Sequence, residues 1–250
     1  MADEEEAQES AVDEGAEAPP SPSLLRSDAW TDLGLTLPIF VAYHLGVVFL
    51  SVRNAADPLT AKLRELANDS IASYIGLTLL IGAVFVGVLV ALGRGKALSG
   101  KRFAVVAIEG CVYAAILRFV ATYALRALPL ASTDGAADGS QAFMGVIMSM
   151  GAGFYEEIAF RVLLFGTGAW IIKQLIDAGT AVFLKIVWAA VTGAIFSAWH
   201  YVGPYGDTFE ARSFAYRAIC GFVLALVYAT RGFAPAVWAH ALYDVYCLVL

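Results

Sequence analysis

Disulfide chemistry has little to work with in this chain. Among 250 residues there are three cysteines, Cys111, Cys220 and Cys247. The number is odd, and all three stand in apolar stretches without metal-ligand spacing. This argues against a disulfide framework or a cysteine metal site, and the three read as small buried hydrophobes. The last four residues, CLVL, fit a prenylation box in form. Cys247 ends a long apolar segment with no polar or basic spacer, so that fit is set aside. No HExxH helix occurs, which excludes the common zinc-protease arrangement. No basic patch points to nucleic acid. The start is acidic and has no apolar run, which speaks against a signal peptide. No internal repeat is visible, which counts against many transporter architectures.

What the chain does have is apolar sequence. Hydrophobic residues make up 60% of it, against about 45–50% in soluble domains, and the mean hydropathy is +0.71. One soluble core does not need that much, so the solvent implied is lipid. The net charge of −6 is concentrated in the opening stretch, MADEEEAQESAVDEGAEAPPSPS. Residues 1–28 read as a disordered acidic tail with nothing to build a core. Residues 29–250 read as one transmembrane helical domain.

A helix needs about 20 mostly apolar residues to cross the hydrocarbon. Candidate spans run at about 33–52, 71–92, 103–130, 142–175, 181–200, 213–230 and 233–250. The expected fold is therefore all-α, a polytopic bundle of seven or eight spans. The stretch 142–175 is long for one span. Gly151 and Gly153 either break it or leave one long tilted helix. Loops 53–70 and 93–102 carry Lys and Arg, whereas 131–141 carries none. Together they favour a cytoplasmic N-terminus.

Charged side chains at mid-membrane cost about 2.5–3.5 kcal/mol on insertion scales, so those present usually serve a function. Three groups stand out: Glu156-Glu157-Ile-Ala-Phe-Arg161, Phe196-Ser-Ala-Trp-His200 and His240-Ala-Leu-Tyr-Asp244. Glu157 and Arg161 are i, i+4 and share a face, as an ion pair would. Glu156 points about 100° away around an α-helix. A carboxylate in such a setting suits a general base or a metal ligand. Phe196 and His200 share a face, and so do His240 and Asp244, where Asp244 would fix the tautomer of His240. One Glu and two His from three helices can meet in a bundle core. Glu156, His200 and His240 could then activate a water by binding Zn²⁺, or do so as a metal-free base with hydrogen-bond donors. The geometry alone also suits a proton- or ion-coupled transporter.

Other polar positions carry less. Glu109 and Arg118 face opposite sides of one helix, so each would line the cavity or pair with other helices. His44 reads as a satisfied polar residue. The tryptophans are in part interfacial belt residues, and Trp199 and Trp238 stand beside the motif histidines. GPYGD at 203–207 ends a helix.

EEIAFR, FSAWH and HALYD, in that order on separate membrane helices, resemble the CPBP intramembrane proteases. That family includes the CAAX prenyl protease type two and the bacteriocin-processing or immunity proteins of the Abi family. The resemblance covers roughly 150–245, within a motif core of about 142–250. It implies a membrane bundle with a buried polar catalytic cavity open to one side. It implies that Glu156 activates the attacking water and that His200 positions it. It gives His240 and Asp244 the oxyanion, with Glu157 and Arg161 in support. Asp244 stands where the prenyl protease usually has Asn. A carboxylate cannot donate, so Asp244 is expected to orient His240. Zinc and a metal-free glutamate mechanism both fit the motif. The expected activity is a membrane-embedded endopeptidase, glutamate-type or metallo-, acting on a membrane-associated, prenylated or leader-bearing peptide. The expected location is the cell membrane. A non-proteolytic immunity or scaffold relative and a proton-coupled transporter are the alternatives.

Overall fold

The computed structural model describes residues 29–50, 65–67, 70–92, 100–125, 139–203 and 206–249. The acidic segment 1–28 and most of the three loops used for orientation lie outside the described residues. Among the described residues there is no strand. The elements are α1 (Ala29–Leu35), α2 (Leu37–Gly46), α3 (Ile71–Leu92), α4 (Gly100–Leu125) and α5 (Gly139–Gly151). After α5 the chain runs through wide π-helical turns at Ala152–Glu156 and Ile158–Gly166 into α6 (Thr167–Leu175). Then come α7 (Ala178–Trp199), α8 (Ala211–Arg231) and α9 (Phe233–Val249).

Four stretches among the described residues are long and apolar enough to cross a membrane: Gly100–Val120, Gln141–Leu175, Ala178–Trp199 and Ala211–Arg231. Leu37–Phe49 and Ile71–Val84 are shorter apolar helices. The bundle is thus the all-helical membrane type expected, with two of the seven spans redrawn. The first, 33–52, is broken. Thr36 turns its hydroxyl back to the Leu33 carbonyl at 2.7 Å, and Pro38 opens α2, where its missing N–H costs nothing. The last, α9, has 17 residues, or about 25 Å. Ala234, Ala236, Val237, Ala239 and Ala241 in it are all 0% exposed. It is the inner helix of the bundle, packed against α4, α5 and α8. Its small residues let those neighbours close in.

Outward faces are apolar, as lipid requires. Ile108, Val112 and Phe119 on α4, and Val182, Phe183 and Val191 on α7, are all exposed. Cys111 and Cys247 are also exposed, and only Cys220 is buried. This corrects the reading of all three as interior.

Two hydrogen bonds and one glycine fix the depth of α9. The Asp32 carboxylate accepts from the Phe233 backbone N–H. Trp238 donates from Nε1 to the Leu35 carbonyl at 2.9 Å, so it faces α1 and not the motif histidines. Gly232 joins α8 to α9 at φ +103°, where a Cβ would lie 2.2 Å from Asp32 Oδ2. Only glycine suits that backbone. At the end of α8, Arg231 pairs with Glu109 of α4. Where α6 turns into α7, Asp177 caps the helix by accepting from the Thr180 N–H at 3.0 Å. That bond holds its carboxyl below the ordinary carboxylate value.

Candidate active site

The stretch 141–175 is neither broken nor a plain α-helix. Gly153 explains part of its path. A Cβ there would lie 2.7 Å from Ala241 Cβ and 2.9 Å from the Val237 carbonyl. Glycine therefore lets the chain press against α9 just before the two glutamates. π-helical turns are rare and often mark functional sites. Because such a turn is wider than an α-turn, successive side chains diverge by less than 100°. Both glutamates accordingly reach His240 of α9.

Glu157 is the fixed member of the pair. Its Oε1 lies 3.1 Å from Arg161 Nη1 and 2.7 Å from His240 Nδ1. Glu157 is 0% and Arg161 1% exposed. The Arg161 guanidinium stacks on the Phe196 ring, 4.5 Å from its centroid, and its Nη2 points at the Gly221 carbonyl at 3.5 Å. This lock joins the π-helical turns to α7, α8 and α9. Its formation contributes little net stability, but removing one partner of such a pair costs about 3–5 kcal/mol.

His240 is held on both sides. Nδ1 donates to Glu157, which fixes the tautomer and leaves Nε2 as acceptor in the neutral ring. Nε2 lies 3.4 Å from Asp244 Oδ2 and 4.0 Å from Glu156 Oε2. The expectation that Asp244 sets the tautomer is corrected here, since Glu157 makes the shorter contact. The reason is the π-helical geometry, which α-helical spacing does not reveal. When His240 is protonated, Nε2–H becomes a donor facing Asp244 and Glu156.

His200 closes α7. Its Nδ1 donates to the Phe196 carbonyl at 3.0 Å, so Nε2 is the unprotonated nitrogen of the neutral ring. The chain then turns at 201–203, and Asp207 donates its N–H to the His200 carbonyl at 2.8 Å. Phe196 packs edge-on to both imidazoles, with centroids 5.0 Å from His200 and 5.8 Å from His240. A cavity of about 420 Å³ collects Glu156, Phe196, His200, His240 and Asp244 on one wall system. It lies in the half of the bundle where α7 ends and α8 begins.

Sequence reasoning missed part of the lining. Tyr216 and Cys220 of α8 and Tyr243 of α9 face the same cavity. The Tyr243 hydroxyl donates to that of Tyr216, and Cys220 Sγ is 3.8 Å from Tyr243. Tyr216 and Cys220 stand at i, i+4, so helical spacing could have paired them. Tyr243 lies inside HALYD itself. His44 is remote from the cavity. Its Nδ1 donates to the Phe40 carbonyl and its Nε2 accepts from the Tyr155 hydroxyl, both at 2.9 Å, as a satisfied polar residue should. Arg118 does not line the cavity but stands at its edge, over the Tyr246 ring and with Nη1 3.8 Å from Sγ of Cys247, which does line it.

The residues considered for zinc do not form a ready ligand set. Among the described residues no group of three or more His, Cys, Asp or Glu is placed to hold a metal ion. Nδ1 of His240 is already engaged by Glu157. What the cavity offers is two carboxylates, Glu156 and Asp244, beside one imidazole, a second imidazole, and further polar lining from Ser213, Tyr216 and Arg217.

Residues 138–246, a little under half of the chain, match the family model described as Rce1-like, type II CAAX prenyl endopeptidase. No curated protein matches the chain. No solved structure matches it.

Proposed function

We propose that this chain is a CAAX-type intramembrane protease, a reading that the family match over residues 138–246 supports, and that Glu156 is the base that activates its water. The substrate class is a peptide bond in a membrane-associated or lipidated protein. The observation that carries the reading is the placement of Glu156. It shares one cavity with His200, His240 and Asp244, while its neighbour Glu157 is tied into the lock with Arg161 and His240.

The chain's own residues divide the work. Glu156 takes a proton from water, and the water oxygen forms a bond to the scissile carbonyl carbon. His200, whose Nε2 is unprotonated in the neutral ring, accepts a hydrogen bond from that water and orients it. His240 in its protonated form donates from Nε2 to the oxyanion that develops, a contact that strengthens as charge appears. Asp244 and Glu157 hold the imidazole and favour its charge. Glu156 then returns the proton to the leaving nitrogen, the C–N bond breaks, the remaining hydroxyl proton of the new acid passes to the amine, and a carboxylate and an ammonium leave. No step requires a metal, and zinc is not built into the proposal.

The experiment is cleavage of a lipidated peptide by purified wild type and Glu156→Gln in the same detergent. The reading requires the variant to fold normally and to lose turnover. Full turnover in a folded Glu156→Gln protein would remove Glu156 from the role.

A further inference from the structure

A second cavity, of about 970 Å³, lies in the other half of the bundle, where α6 turns into α7 and meets the end of α8 and α1. His200 closes α7 at one end, whereas Lys185 on this cavity's wall stands seven residues after Ala178 at the other. At 1.5 Å per residue that is about 10 Å into the helix. The walls are apolar, with Val162, Phe165, Val182, Ile186 and Leu226 among them. Trp170 also lines the cleft and is 62% exposed, as befits a side chain at the membrane–water boundary.

Two cations line this apolar cleft. Lys173 and Lys185 both face it, and neither has an ion-pair partner among the described residues. The one acid on the wall, Asp32, gives its carboxylate to the Phe233 N–H. Thr230 turns its hydroxyl back to the Leu226 carbonyl at 2.7 Å. The arginine at the end of α8 is spent on Glu109. An ammonium rooted about 10 Å inside a span is costly unless an anion meets it. Basic pockets between membrane helices are recognised by acidic headgroups for this reason. Charge and shape together call for an anion carrying an apolar tail.

We propose that this cleft binds an anionic phospholipid of the surrounding bilayer, its phosphate met by Lys173 and Lys185 and an acyl chain along the apolar walls. The site is separate from the cavity of Glu156 and His240 and does not depend on the protease reading.

The test uses the full-length protein, delipidated in a non-ionic detergent, and reads its melting temperature. Dioleoyl phosphatidylglycerol at about a hundred times its Kd should raise the melting temperature by roughly 5–10 °C. Dioleoyl phosphatidylcholine and inorganic phosphate should each give less than about a third of that. Lys173→Gln with Lys185→Gln should abolish the phosphatidylglycerol effect and leave peptide cleavage unchanged. An equal rise with phosphatidylcholine, the full rise with phosphate alone, or an effect that survives in the double variant would each overturn the proposal. Should the double variant fail to fold, fluorescence decides in the wild type. Brominated phosphatidylglycerol should quench the Trp170 contribution, defined against Trp170→Phe, more than brominated phosphatidylcholine does. Equal quenching refutes the site.

Discussion

Glu156 and Glu157 are adjacent and chemically identical, yet their surroundings separate them. Glu157 has no exposed surface and touches both Arg161 and His240. Glu156 lines the cavity, 4.0 Å from the far nitrogen of the same imidazole. Two substitutions should therefore diverge. Glu156→Gln should lower turnover by at least about 10²–10⁴-fold, the range of a lost acid–base group, with an unchanged melting temperature in detergent. Glu157→Gln should cost about 3–5 kcal/mol, because it strands a buried guanidinium. Thermal unfolding of the two variants side by side checks both. A Glu157→Gln protein as stable as wild type would mean that Arg161 finds another acceptor.

At the scale of elements, the turn that carries the glutamates depends on its fit to α9. Gly153→Ala adds one methyl, but that carbon would meet Ala241 Cβ, Ala241 N and the Val237 carbonyl, all within 2.9 Å. These are largely backbone atoms and cannot swing aside. The expected cost is about 1–3 kcal/mol. The accompanying displacement of His240 should lower turnover by about 10²-fold, the scale of a 1 Å misplacement. Unfolding and kinetics on one preparation read both effects. The cap of α7 gives a pH-dependent case. The Asp177 carboxyl is held below its ordinary value in the folded protein. Its contribution is present above the unfolded carboxylate pKa and is lost as pH falls through the depressed folded one. The melting-temperature gap between wild type and Asp177→Ala should thus be open at pH 7 and close below that range. A gap that stays constant with pH would exclude the carboxylate as its source.

The spacing of polar residues made much of the site legible. Glu157 with Arg161, Phe196 with His200, and His240 with Asp244 each follow from i, i+4 on a helix. The π-helical turns could not be read that way, because they arise from packing against α9 and not from local preference. That is why the reach of Glu157 to His240 was missed. Tyr216 escaped notice because only its i, i+4 spacing from Cys220 marks it, and neither residue carries a charge that would draw attention in an apolar helix. The exposure of Cys111 and Cys247 was misjudged for a different reason. In a lipid solvent the outer face is apolar too, so hydropathy no longer separates inside from outside.

Across the whole molecule, α9 is the organising element. It is short, lined with alanine, and touched by α1, α4, α5 and α8. The end at Phe233 is anchored by Asp32, and the half from His240 onward faces the cavity of Glu156 and His200. The lysine-lined cleft lies in the opposite half, so the proposed peptide chemistry and the proposed lipid contact fall on the two sides of one bundle. Hydropathy alone suggested seven or eight spans, with 233–250 among them, because it could not tell a buried inner helix from a lipid-facing one.

The most direct test of proteolysis compares the termini of membrane proteins in cells expressing wild type or Glu156→Ala at equal levels. The account predicts new termini in membrane-associated or lipidated proteins that appear with wild type and vanish with the variant. Identical termini in the two cell populations would contradict it.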